Sequence, residues 1–114
     1  KYFIIKKNMK KFNINNTVRG WFVGEFEPTF YKTNDCEVGL KKYKKGALED
    51  KHFHKLSTEI TGIISGSARM NNLVLNEGDF ILIEPNEAFD FEALEDTVTI
   101  VFKSKSVKND KYLV

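Results

Sequence analysis

The sequence predicts an all-β fold, a sandwich or barrel of short strands, on three observations. Ten Phe, four Tyr and one Trp raise the aromatic content to 13%, and aromatic residues favour strands over helices. Turn signals recur about every eight to twelve residues, and apolar residues nowhere keep helical spacing for longer than a turn. At 114 residues and 41% hydrophobic content, the chain has room for one domain with a substantial core, but not for two.

The first part of the chain combines a polar lead-in with two strands. Residues 1–16 are rich in Lys and Asn, with a short strand expected over residues 2–6. Residues 20–26 form a predicted strand that is bounded by glycine and by Pro28. Residues 36–44 alternate in character, which is typical of a half-buried strand. One face of this strand carries Cys36, Val38 and Leu40, and the other carries Glu37, Gly39, Lys41 and Tyr43.

A turn at Gly46 leads into the histidine segment, and strand predictions continue beyond it. Further strands are expected over residues 60–65, 68–70, 73–75, 80–83, 88–93 and 97–102. Asn71-Asn72 separates two of them and tolerates the positive φ of a tight hairpin. The last strand is β-branched and apolar on both faces, so we expect it to be central in its sheet. Residues 112–114 are apolar again, and we expect them to dock on the body of the protein.

Composition and charge exclude several classes of protein. A net charge of +2 is too small to indicate nucleic acid binding, and a single cysteine excludes an internal disulfide framework. No apolar stretch approaches the length of a membrane span or of a signal peptide's core. We therefore expect a cytoplasmic protein with no membrane partner. Met9 followed by two lysines is typical of a natural start, so residues 1–8 are interpreted as an upstream extension or an artefact.

The two histidines of the chain lie close together in sequence. His52 and His54 are two residues apart, so on an extended strand both imidazoles project from the same face. Glu59 begins the next apolar run, and a strand, a short turn and a returning strand would bring its carboxylate towards them. Two neutral nitrogens and one carboxylate suit Zn, Fe, Mn, Co or Ni. The alternative is an ordinary polar surface, since Lys51 and Lys55 flank the histidines.

A longer pattern of fixed spacing includes these three residues. The spacing Gly-x5-His-x-His-x4-Glu-x6-Gly links Gly46, His52, His54, Glu59 and Gly66. It resembles the first signature of the cupin family at every fixed position. The resemblance covers roughly residues 35–104 and implies a double-stranded β-helix, the jelly-roll barrel of that family, with its ligands pointing into the barrel.

The second cupin signature is only partly present. Gly78 matches its first glycine. The family's proline, second glycine, histidine and asparagine are replaced, in order, by Glu84, Asn86, Phe89 and Ala93. A phenyl ring cannot donate to a metal, so the site would keep at most three protein ligands.

By this resemblance, His52, His54 and Glu59 bind a divalent first-row metal ion. In one interpretation three ligands suffice, as in non-haem iron sites, and water or substrate fills the remaining positions. In the other, the barrel has lost its metal and binds a small molecule without it. We prefer the first, because keeping both histidines and the glutamate without metal would leave polar groups in an enclosed cavity.

Other pocket candidates have a functional and a structural interpretation. Four aromatic side chains either form a wall suited to stacking on a sugar or ring, or are ordinary core packing: Trp21, Tyr43, Phe89 and Phe91. Glu37 and Lys41 share a strand face with Tyr43. They are candidate acid or base groups if that face lines the barrel, and are solvent-facing if it does not. No catalytic residue is identified.

Three classes of function stay open. The first is a metalloenzyme, such as a dioxygenase, isomerase or lyase acting on a small polar molecule. The second is a non-catalytic binder of a carbohydrate, nucleotide-sugar or other small molecule, and the third is a protein whose barrel face serves association. We predict a metal-binding protein with a small-molecule pocket of unknown substrate. We also expect a homodimer, since small jelly rolls leave sheet edges and apolar faces that a second copy can cover.

Overall fold

The chain folds as two antiparallel five-stranded sheets. A computed structural model describes residues 8–114, and the strand expected over residues 2–6 lies outside them. Besides a 3₁₀ turn, Ile14–Asn16, the described residues form ten strands. These are β1 (Trp21–Val23), β2 (Cys36–Tyr43), β3 (Leu48–Phe53), β4 (Thr58–Ser65), β5 (Ser67–Met70), β6 (Leu73–Asn76), β7 (Phe80–Ile83), β8 (Phe89–Ala93), β9 (Thr97–Ser104) and β10 (Tyr112–Leu113). Within residues 8–114, no helix has the length and apolar character that crossing a membrane requires.

The two sheets face each other across the interior. One has the strand order β1-β2-β9-β4-β7, and the other has the order β10-β3-β8-β5-β6. β9 is central in the first sheet, as predicted, since it pairs with β2 on one side and with β4 on the other. Its pairing with β2 runs unbroken from Cys36↔Ser104 to Tyr43↔Thr97. This register decides which side chains of the three strands point into the interior.

The interior has an apolar part and a polar part. Apolar side chains from both sheets form one buried cluster: Ile63, Ala68, Met70, Leu75, Ile83, Phe89, Phe91 and Ala93. Beside it lie buried polar groups, among them His52, His54, Glu59 and Thr61. The sequence alternation of β2, β4, β8 and β9 produces this arrangement, because every second residue of each strand points inward.

The turns form where the sequence predicts them. Asn71, in the hairpin between β5 and β6, has a φ of 51°. Asn86 takes a φ of 72° at the position where the second cupin signature has glycine, so asparagine supplies the left-handed conformation there. Gly66 has a φ of 87°, and a β-carbon on it would collide with the carbonyl oxygen of Asp96. Glycine is therefore required at that position of the first signature.

The expectation that Glu59 lies on a strand returning beside the histidine strand is wrong. β3 pairs with β8 and β10, whereas β4 pairs with β7 and β9. The chain crosses from one sheet to the other between His54 and Thr58. The imidazoles and the Glu59 carboxylate therefore enter the interior from opposite sheets.

The C-terminal segment packs against the histidine strand. β10 pairs with β3 through Tyr112↔Phe53 and Leu113↔His52, so the predicted docking of this segment is confirmed. The Asp110 side chain accepts backbone N–H hydrogen bonds of 3.0–3.3 Å from Lys55, Leu56 and Ser57. Burial raises the pKa of Asp110, but these hydrogen bonds outweigh it and hold the pKa below the ordinary value of 3.8. Asp110 thus fixes the loop that follows His54.

We predict that Asp110→Asn lowers the free energy of unfolding by about 1–2 kcal/mol at neutral pH, because the charged acceptor of three N–H groups is lost. A lowered pKa in the folded state stabilises the protein above the ordinary pKa of 3.8 and loses that effect as the pH falls through the folded value. The difference between the two proteins should therefore shrink in acid. Urea unfolding at neutral pH and well below pH 3.8 measures it.

Asp35→Asn, at an exposed aspartate in the turn before β2, is the matched control and should leave stability unchanged within about 0.5 kcal/mol. Equal stability of Asp110→Asn and the unaltered protein at neutral pH would contradict the assigned role.

Candidate metal and ligand site

A cavity of about 610 Å³ opens between the inner faces of the two sheets. Every predicted site residue lines it: Trp21, Glu37, Lys41, Tyr43, His52, His54, Glu59, Phe89 and Phe91. The face of β2 that carries Glu37, Lys41 and Tyr43 is thus the inner face, not the solvent face. The fold gathers these residues from both sheets into one space.

His52 and His54 project into this cavity from the end of β3. Each is 4% exposed, and their ring centroids are 5.4 Å apart with the rings nearly perpendicular. His52 Nδ1 lies 2.8 Å from the carbonyl oxygen of Asp50, so this nitrogen carries the proton and Nε2 keeps its lone pair. Burial lowers the pKa of His52, and burial together with the charge of Lys103 lowers that of His54 to about 4. Both rings are therefore neutral at physiological pH.

Glu59 faces the histidines from β4, in the opposite sheet. The residue is 6% exposed, and its Oε2 accepts a 2.8 Å hydrogen bond from the hydroxyl of Thr61. Burial raises the pKa of Glu59, while the Thr61 hydroxyl and the charge of Lys103 lower it in part. Lys103 lies directly opposite Glu59 in the pairing of β4 with β9. The carboxylate thus has both a hydroxyl and a cation to stabilise its charge.

The donor types fit a first-row metal ion, since two neutral imidazoles and a carboxylate face one cavity. Their spacing is looser than that of a formed metal cluster. Within residues 8–114, no three His, Cys, Asp or Glu side chains are grouped closely enough to hold a metal ion. The arrangement is a histidine pair with a carboxylate on the facing wall.

Phe89 occupies the space beside the histidine pair. It lies opposite His52 in the pairing of β3 with β8, and its ring centroid is 4.3 Å from that of His52 and 6.0 Å from that of His54. Its neighbour Asp90 points away from the cavity, where its carboxylate accepts the backbone N–H of Asn71. Phe89 therefore lies inside the barrel at the place where the second cupin signature has histidine.

Glu49 is a cavity residue that the sequence pattern does not reveal. Strict alternation from His52 places Asp50 inside and Glu49 outside. The pairing of β3 with β8 shifts between Glu49 and His52, and this irregularity turns Glu49 inward. The Tyr43 hydroxyl donates a 2.5 Å hydrogen bond to Glu49 Oε2. Burial and the charge of Glu49 both raise the pKa of Tyr43, which therefore stays protonated.

Other lining residues were also not predicted from the sequence: Arg19, Thr61, Thr99, Lys103 and Lys111. The positions of Thr61, Thr99 and Lys103 follow once the register of β9 with β4 is known, because all three are on the inner face. Arg19 and Lys111 reach the cavity from segments outside the two signatures. No sequence signal marks them as site residues.

Solved structures similar to this chain have the same fold. An uncharacterized conserved protein with a double-stranded β-helix domain from Klebsiella pneumoniae matches with a TM-score of 0.64 and 21% identity over 72% of each chain. KdgF from a Halomonas species matches with a TM-score of 0.61 and 22% identity, over 68% of this chain and 76% of the other. The predicted double-stranded β-helix is therefore confirmed.

Oxalate decarboxylase from Bacillus subtilis, a protein with Mn(II) centres, also matches. The TM-score is 0.62 at 20% identity, over 72% of this chain but only 25% of the decarboxylase. No protein-family model matches the chain, and no curated protein matches its sequence. Identities this low show a shared fold and leave the function to be argued from the residues of the cavity.

Proposed function

We propose that the protein binds a divalent first-row metal ion through His52 and His54, with Glu59 as the third protein donor, and a small polar molecule in the same cavity. The observation that carries the proposal is the state of the two imidazoles. Both are buried in the cavity wall and neutral, and the hydrogen bond to Asp50 leaves Nε2 of His52 free to donate. Metal-binding histidines commonly show this combination.

The surroundings of the donors also support the proposal. A metal ion in this cavity would act as a Lewis acid towards a bound oxygen atom. On the same wall, the Tyr43 hydroxyl donates a hydrogen bond to the Glu49 carboxylate and orients it, which makes Glu49 the candidate group for proton transfer. Two of the matched proteins, KdgF and oxalate decarboxylase, have the same fold, and the latter has Mn(II) centres.

We predict that the metal-free protein binds Mn²⁺, Fe²⁺ or Zn²⁺ with one ion per chain and that His52→Ala combined with His54→Ala abolishes this binding. Removing both nitrogen donors leaves one carboxylate, which is too few for a transition metal site. Isothermal titration calorimetry measures the binding. Lys55→Ala, an exposed neighbour of His54, is the control and should bind metal normally.

Phe89→His supplies a second, opposite test of the same site. Because the Phe89 ring centroid lies 4.3 Å from that of His52 and 6.0 Å from that of His54, an imidazole there should add a donor and tighten metal binding. Phe91→His is the matched control, since the Phe91 ring packs on Tyr43 with a centroid distance of 4.4 Å. Metal binding that is indifferent to the histidine and Phe89 variants would disprove the proposed site.

A second candidate function is binding of a carbohydrate, nucleotide-sugar or similar small molecule without metal. The loose spacing of the donors within residues 8–114 favours it, as does the phenyl ring of Phe89 beside the histidine pair. Under this proposal no metal would bind in the titration, even at high concentration. A thermal-shift screen of sugars and nucleotide-sugars would then raise the melting temperature of the protein.

We also propose that the protein is a homodimer. Three apolar side chains lie side by side on the outer face of the first sheet, where Ile60 is 36%, Leu82 58% and Phe102 37% exposed. A second copy covering this face would remove them from water.

Sedimentation equilibrium should give twice the chain mass of 13.2 kDa, and Leu82→Lys should shift the measured mass towards that of the monomer. Leu73→Lys, on the other sheet, is the control, and a monomer at all concentrations would contradict the proposal.

A further inference from the structure

Three cations at the cavity have no carboxylate within ion-pair distance in the described residues. The cavity's ionised side chains, apart from the histidines, are four cations and four carboxylates: Arg19, Lys41, Lys103 and Lys111, and Glu27, Glu37, Glu49 and Glu59. Each carboxylate accepts a hydrogen bond, from the charged Lys32 in the case of Glu27 and from a neutral hydroxyl in the other three: Ser106 for Glu37, Tyr43 for Glu49 and Thr61 for Glu59. Among these four cations, Lys103 alone has a carboxylate within ion-pair distance in the described residues, that of Glu37 at 4.0 Å, and Glu49 acts on Lys41 from farther away. Arg19, Lys41 and Lys111 therefore have no ion-pair partner within residues 8–114.

Lys41 is the most enclosed of these three cations. It projects inward from β2, and its Nζ lies 5.4 Å from the ring centroid of Trp21 and 6.0 Å from that of Tyr43. Burial lowers the pKa of Lys41, and although Glu49 opposes this effect, Arg19, Lys103 and Lys111 add to it. Aromatic faces compensate only part of the cost of removing an ammonium group from water. An anion entering the cavity would compensate the rest.

Thr99 provides an independent observation at the same place. It lies directly opposite Lys41 in the pairing of β2 with β9, and it also lines the cavity. The residue is 1% exposed, and within the described part of the chain its Oγ1 is the one fully buried side-chain polar atom without a hydrogen-bond partner. Buried hydroxyls nearly always have a partner, so an unpartnered hydroxyl that faces a cavity is available for a hydrogen bond to a molecule bound there.

Trp21 forms a fixed wall beside this pair. Its indole lies flat on Gly39, where a β-carbon would approach the ring carbon Cε3 to 2.7 Å. Gly39 therefore leaves the space that the indole occupies. Lys103 lies on the same ring, with Nζ 5.0 Å from the centroid. Two ammonium groups thus flank one indole at the wall of the cavity.

We propose that Lys41 and Thr99, beside the indole of Trp21, form a subsite for the anionic group, carboxylate or phosphate, of a small ligand. The Lys41 ammonium and the Thr99 hydroxyl would both donate to its oxygens, which satisfies the unpaired cation and the orphan hydroxyl together. This inference rests on the proposed function, since it takes the cavity to be a ligand site. It narrows the ligand to small organic anions.

Trp21 is the single tryptophan of the chain, so its fluorescence reports on this subsite directly. The protein, freed of metal and chelator by dialysis, is titrated with succinate, with its neutral diamide succinamide, and with inorganic phosphate. Calorimetry accompanies each titration, so that a ligand that leaves the indole unperturbed is still detected. Succinate or phosphate should bind and succinamide should not. The stronger of the two anions identifies the group that the subsite accepts.

Lys41→Met, which keeps the aliphatic length of the side chain, should weaken anion binding about tenfold or more, because it removes a charged hydrogen-bond donor. Thr99→Val should weaken it less, and Lys41→Arg should retain it. Lys42→Met, the exposed neighbour on the opposite face of β2, is the matched control. Circular dichroism establishes that each variant is folded.

The inference is overturned if neither anion binds, if succinamide binds as well as succinate, or if Lys41→Met binds the anion as tightly as Lys42→Met. Metal titration of the same variants separates this outcome from failure of the proposed function. If Lys41→Met binds metal normally and also binds the anion as tightly as Lys42→Met does, the anion subsite is disproved and the proposed metal site is unaffected.

Discussion

The pairing of β9 with β2 and β4 is the constraint on which the rest of the structure depends. Because the period of a strand is two, this register alone places Lys41, Thr99, Lys103 and Glu59 on one inner face. A slip of β9 by one residue would turn Thr99 and Lys103 outward and bring exposed residues such as Phe102 inward, so that Lys41 and Glu59 would lose these neighbours. The polar wall that the first sheet contributes to the cavity therefore depends on the register of β9 with β2 and β4.

The histidine wall of the cavity, on the second sheet, is held in place by the C-terminal segment. β3 ends at Phe53, and the His54 loop has few backbone pairs of its own. Asp110 binds the next three backbone N–H groups, and β10 covers the outer edge of β3. The C-terminal segment thus fixes the positions of both imidazoles, although it lies far from them in sequence. This explains why a polar, charged tail belongs to the site.

Much of the fold follows from the sequence, because strand alternation and turn residues are local signals. β7 agrees with its prediction, and β9 is central as its β-branched residues indicate. Which sheet each strand joins is not local information, so the expectation that Glu59 lies on a strand returning beside the histidine strand is wrong. The inward position of Glu49 also cannot be predicted from the sequence, because it depends on a register shift in β3 that no glycine, proline or other turn residue indicates. The inward positions of Lys103 and Thr99 follow from the pairing register of β9, which cannot be derived from the sequence.

The site combines a histidine pair, which the spacing predicted, with a cation, a hydroxyl and an indole that only the structure brings together. The most direct test of the central claim is anomalous diffraction at the zinc edge from crystals grown with Zn²⁺. The account predicts a single strong peak in the cavity, with nitrogens of both His52 and His54 at about 2.1 Å. A cavity without a peak, or a zinc ion bound elsewhere by other residues, would contradict it.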